Sequence, residues 1–124
     1  MEKTFVALGA LLGGLGVCLG AFAAHGLKQR LPVEMLIVFE TGVRYHMYHA
    51  LALIAVGLAF GRWPVPPLAA AGWLFVAGVM VFSGSLYALS VSGLRALGAI
   101  TPLGGLAFIA GWIAFAYGVL SQPR

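Results

Sequence analysis

TFVALGALLGGLGVCLGAFAA, the stretch from Thr4 to Ala24, contains no charged side chain. At 1.5 Å per residue it makes a helix of about 31 Å, which matches the roughly 30 Å hydrocarbon thickness of a bilayer. Inside hydrocarbon every backbone N–H and C=O must be bonded within the segment, so helix is the state open to it. Ala21-Phe22-Ala23 forms an A-x-A pattern behind the run, as at the end of a secretory signal. Signal cores are shorter, about 7–15 apolar residues, so this segment is expected to be retained as a membrane span.

Working outward, three further apolar stretches have spanning length. The four expected spans are 4–24, 44–60, 68–89 and 102–120, within one integral membrane domain covering residues 1–124. Composition agrees: 62% of residues are hydrophobic and only 8% charged, with a mean hydropathy of +1.04. Soluble domains carry about a quarter charged residues, and ten charged side chains cannot cover a globule of this length. The fold class is therefore an all-α membrane protein, a compact bundle of four transmembrane helices. Arg62-Trp63-Pro64-Val65-Pro66-Pro67 makes the second connection a tight turn. Thr101-Pro102 reads as an N-cap followed by proline at the first helical position, where a missing N–H costs nothing. The longest connection, His25 to about Thr41, mixes Lys28, Arg30, Glu34 and Glu40 with Met35, Leu36, Val38 and Phe39. It is expected to form a short amphipathic helix on the membrane surface, between helices one and two.

The net charge of +4 does not point to nucleic acid. The seven basic residues are scattered between apolar segments, whereas phosphate binding concentrates them on one face. They read instead as anchors at span ends, in contact with lipid headgroups. Lys3, Arg62 and Arg124 fall on one side and Lys28, Arg30, Arg95 and Arg44 on the other, a balance that sets no orientation. The single Cys18 excludes an intrachain disulfide.

Eighteen glycines exceed what short loops need. Gly9, Gly13, Gly16, Gly20 and Ala24 advance by three or four residues and occupy a stripe roughly 80° wide at 100° per residue. Gly104, Ala107, Gly111, Ala114 and Gly118 make a similar seam on the fourth span. Stripes of this kind let helix backbones approach closely in lipid, and both are read as helix-packing surfaces.

The chemistry-bearing residues gather around Glu40-Thr41-Gly42-Val43-Arg44-Tyr45-His46-Met47-Tyr48-His49. Glu40, Arg44 and Tyr48 are successive (i, i+4) neighbours on a helix. Thr41, Tyr45 and His49 share the adjoining stripe. From the other spans His25, Ser83, Ser85, Tyr87 and Thr101 come to the same side of the membrane, so one end of the bundle is polar and the other nearly featureless. Three readings fit. The first is structural: a Glu40–Arg44 ion pair, tyrosines in the interfacial belt, histidines bonding between helices. In the second, Glu40, His46 and His49 relay protons. In the third, His25, His46 and His49 hold a metal or haem, although zinc requires three or four ligands and no carboxylate or cysteine motif adds one.

GAFAAHGLK at 20–28, TGVRYHMYHALAL at 41–53, FSGSLYAL at 82–89 and LGAITPLGGLAFIAGW at 97–112 together resemble the small membrane proteins grouped as domain of unknown function 423. That group includes bacterial inner-membrane members and the transmembrane protein 256-like proteins of animals. The resemblance covers nearly the whole chain. It implies four helical spans in a bacterial inner (plasma) membrane, and it supplies no activity, catalytic residue or ligand. Its signature positions correspond here to His25, Gly26, Thr41, Tyr45, Tyr48, His49, Ser83, Ser85, Tyr87, Thr101 and Pro102.

These observations lead to a non-enzymatic membrane protein with no metal or cofactor, acting by binding or assembly through its polar cluster. Its expected partners are the lipid bilayer and either further copies of itself or another membrane protein. The alternative is a component of an ion, proton or small-molecule transporter or channel. Four short spans leave little room for a watery path, so transport would need an oligomer, and the first span lacks the charge that four-helix multidrug exporters carry.

Overall fold

The computed structural model describes residues 1–124 and consists of helices and short connections, with no strand. Helix α1 (Glu2–Phe22) loosens at its end into a π turn, Ala23–Leu27. Helix α2 runs from Val33 to Arg62. The third span is built from α3 (Pro66–Gly78), a second π turn (Val79–Ser83) and α4 (Gly84–Ser92). A 3-10 turn, Arg95–Ala99, leads into α5 (Thr101–Leu120). Four helices are thus long and apolar enough to cross a membrane, with prolines in the first turns of α3 and α5. α4 ends at Gly93, whose φ of 73° lies in the left-handed region where glycine carries no Cβ penalty.

The stretch before the second span differs from expectation. It is helical, but it is no separate surface segment: α2 is continuous for 30 residues. Pro32, with ψ at 151°, starts the helix, and nothing afterwards stops it before Trp63 and Pro64. Gly42, a third of the way along, makes room for Tyr87, whose ring lies 2.8 Å from where a Cβ would stand.

Packing follows the small residues. α1 lies along α2, α2 packs on the third span, and the third span packs on α5. A Cβ on Gly9 would stand 2.8 Å from the Ala50 carbonyl oxygen, and one on Gly16 would overlap the Met47 side chain. Gly20 is in ordinary contact with Val43, at 3.4 Å. Gly13, read from its spacing as part of this seam, instead faces open space. A stripe 80° wide exceeds the line along which two helices touch: the contacts centre near Gly9, and Gly13 lies about 40° round from it, on the side of exposed Ala24. On α5, Gly104 lies against the backbone of Phe82, Gly111 against Phe75 and Gly118 against Leu68. The main apolar core joins α1, α2, the third span and α5 through Phe5, Leu53, Val56, Phe75, Val79 and Phe108.

Candidate functional site

α1 fixes the depth of everything beside it. Its uncharged stretch, Thr4 to Ala24, is as long as the hydrocarbon is thick and gives two edges to measure from. Gly57 of α2 meets Glu2 and Val6 at one edge, and Phe39 meets Phe22 at the other, with ring centroids 6.5 Å apart. His46 and His49 lie between these limits, beside the middle of α1. The sequence placed the polar cluster at the mouth of the second span. Because α2 begins eleven residues before Arg44, the cluster's histidines stand halfway through the bundle instead.

At that depth an unbonded polar group is expensive, and these are bonded. His46 is 2% exposed. Its Nε2 lies 2.7 Å from the Leu12 carbonyl oxygen of α1, and its Nδ1 lies 2.8 Å from the Tyr87 hydroxyl of α4. A carbonyl only accepts, so Nε2 carries the hydrogen and, in the neutral ring, Nδ1 accepts from Tyr87. One side chain thereby ties three helices together.

His49, 4% exposed, has the opposite arrangement. Its Nδ1 donates to the Tyr45 carbonyl one turn back, at 2.7 Å, and its Nε2 accepts from the Trp112 indole N–H of α5, at 3.0 Å. An acceptor-only and a donor-only partner define the neutral Nδ1–H tautomer without ambiguity. The ring stacks on Phe108, centroids 3.6 Å apart and planes within 8°. A neutral His46 is thus the opposite tautomer from His49, three residues on, each arrangement set by the neighbouring groups. Removing the indole donor with Trp112→Phe should leave Nε2 buried and unbonded and lower stability by about 1–2 kcal/mol, read from thermal unfolding in detergent. An unchanged midpoint would show that this bond carries nothing.

The serines extend the network. Buried Ser83 donates to the Gly42 carbonyl of α2 at 2.7 Å, and Ser85 bonds the Thr101 hydroxyl at 2.6 Å, joining the third span to α5. The π turn at Val79–Ser83 inserts one residue into the helical register, a rotation of about 100° that carries the following residues with it. Ser83 and Tyr87 consequently face α2. No buried side-chain nitrogen or oxygen lacks a partner.

The remaining polar residues stay outside this network. His25 is exposed on the first π turn, and no three His, Cys, Asp or Glu side chains converge as a metal site would require. Thr41 bonds back to the Ile37 carbonyl at 2.8 Å. Tyr45 and Tyr48 are exposed and meet edge to face, centroids 5.8 Å apart, with Tyr45 also resting on Phe82. Glu40 and Arg44 are both exposed, and the ion pair expected between them does not form.

An apolar groove of about 290 Å³ lies between α1 and the third span, lined by Leu12, Leu15, Leu19, Val79 and Met80 together with His46 and Tyr87. Trp112 and the Leu12 and Gly42 carbonyls belong to the site although the sequence reading did not include them. Trp112 reads as one more apolar residue of the fourth span, and backbone acceptors leave no mark on a sequence.

Comparison with known proteins places the chain among bacterial membrane proteins. Residues 19–105 match a family model described as "Protein of unknown function (DUF423)". UPF0382 membrane protein YwdK of Bacillus subtilis is 54% identical over 112 residues, covering 90% of this chain and 91% of the relative. UPF0382 membrane protein SH2409 of Staphylococcus haemolyticus is 50% identical over 111 residues, covering 90% of both. A UPF0382 membrane protein of Haemophilus influenzae is 42% identical, covering 95% of this chain and 94% of its own. No solved structure matches.

Proposed function

From the premise that the chain belongs to the DUF423 family, a group of unknown function, we propose that it works without catalysis, as a binding and assembly unit of the bacterial plasma membrane. It is an integral, multi-pass protein with four spanning helices. One observation carries the proposal: all four ring nitrogens of His46 and His49 are engaged, on Leu12, Tyr87, Tyr45 and Trp112. A relay histidine must pass a proton through both nitrogens, but each ring here has one nitrogen against a backbone carbonyl, which does not take up a proton, and a general base needs a free lone pair aimed at a substrate. Here the histidines join helices, and the residues left for outside contacts lie on the surfaces of the bundle.

Reconstitution tests this reading. Proteoliposomes carrying an internal pH dye should leak protons no faster than empty liposomes across pH 6 to 8, roughly the range in which histidine titrates. Proton flux that His49→Ala or Glu40→Gln abolishes would replace assembly with transport.

A further inference from the structure

Glu40 and Arg44 sit on a face of α2 that no other helix covers. Ile37, Arg44, Leu51 and Leu58 recur every seven residues along it, with Glu40 and Tyr48 between them, and all six are exposed. At 100° per residue they fall within about 80° of one another. A seven-residue repeat is the period at which two parallel helices keep the same seam in contact over several turns.

The charges make this face more than another lipid-facing surface. Measured against α1, Arg44 lies inside the hydrocarbon, between Phe39 at the edge and His46, and Glu40 stands at its boundary. Ionisable side chains at such depth ordinarily face protein and are paired. Both are exposed here without a salt bridge. The stripe carries one acid and one base, so it complements itself. A two-fold axis along the membrane normal would set α2 beside α2 of a second copy, in parallel. Glu40 of one chain would then stand about 6 Å along the axis from Arg44 of the other. With axes 8–10 Å apart, the two side chains together span the gap, and symmetry makes the contact twice.

We propose that this face of α2 binds a second copy of the chain in a parallel two-fold dimer, joined by two reciprocal Glu40–Arg44 pairs. The proposal rests on the assembly reading and names its partner.

Cysteine crosslinking in native membranes tests it, in a Cys18→Ala background. Leu51→Cys and Leu58→Cys should each give a disulfide-linked dimer on mild oxidation. Ile109→Cys, exposed on α5 at similar depth, should give none. Combined with Leu51→Cys, either Glu40→Arg or Arg44→Glu should lower the crosslinked fraction about tenfold, as like charges replace opposite ones in both contacts. The decisive sample co-expresses those two variants under different tags. Neither chain can form a Glu40–Arg44 pair within itself, yet the two are complementary, so the mixed dimer should return to the original yield. Equal crosslinking at Ile109→Cys would overturn the proposal. So would charge-reversed homodimers as abundant as the mixed dimer, the result expected if Arg44 merely reaches up to lipid phosphate. Thermal unfolding of each variant in detergent separates lost dimer from lost fold. Absent crosslinks with proton-tight liposomes would defeat the dimer alone; proton flux would defeat the assembly reading itself.

Discussion

Replacing His46 with alanine should destabilise the folded protein by about 3 kcal/mol, the sum expected from a cavity at a buried site and two lost interhelical bonds of about 0.6–1.7 kcal/mol each. The Leu12 carbonyl keeps its helical partner, so the heavier loss falls on Tyr87, whose hydroxyl is left without the Nδ1 acceptor. A double-mutant cycle with Tyr87→Phe isolates that part. If the bond works as its geometry implies, the two substitutions together cost about 1 kcal/mol less than their sum. Strict additivity, measured by steric-trap or denaturant unfolding in detergent, would mean that the histidine merely fills space. Because the ring faces three helices, the same variant should also loosen α1, making Leu15→Cys and Leu19→Cys more reactive to a membrane-permeant thiol reagent.

Gly104→Leu should be more damaging still. A Cβ at that position would run into the Phe82 backbone, which cannot swing aside as a side chain can. Relief requires α5 to move off the third span, which breaks the Ser85–Thr101 bond and pulls Trp112 from His49. Overpacking costs about 1–3 kcal/mol where a site can give, and more where backbone meets backbone. Loss of monodisperse protein in mild detergent is the expected result. Gly13→Leu provides the contrast: with nothing within 4 Å, it should change stability by no more than about 0.5 kcal/mol. A damaging Gly13→Leu would return Gly13 to the packing seam.

That pair of glycines also shows how far the sequence could be read. The absence of charge between Thr4 and Ala24 sets the first span, and similar runs set the others, because a bilayer admits little else. The small-residue seam on α5 is legible for the same reason. Gly13 is not, since spacing gives an angle around a helix and the width of the partner decides which part of that angle is filled. The start of α2 was hidden by Glu34, Glu40 and Arg44, which make the first turns of a long helix look like a separate amphipathic helix lying on the surface. That misplacement shifted the histidines in the sequence reading from mid-depth to an edge. Ser83, Ser85, Tyr87, Thr101, His46 and His49 could be picked out as polar residues in an apolar chain, and the structure brings them into bonds. Which of them bond each other depended on the π turn at Val79–Ser83, and nothing in VMVFS announces an extra residue per turn.

The order in which the helices emerge during synthesis gives the two histidines a further meaning. α1 and α2 form one hairpin, and the third span and α5 form the next. Within the first hairpin each ring is already half engaged, His46 through Leu12 and His49 through Tyr45. Those bonds choose the tautomers before the second hairpin arrives, and each choice leaves one bare lone pair. The second hairpin brings two donors, the Tyr87 hydroxyl and the Trp112 indole, to those two lone pairs. The early half of the chain is therefore a template with two acceptors at a set height in the membrane. A late half inserted one turn too high or too low would find neither.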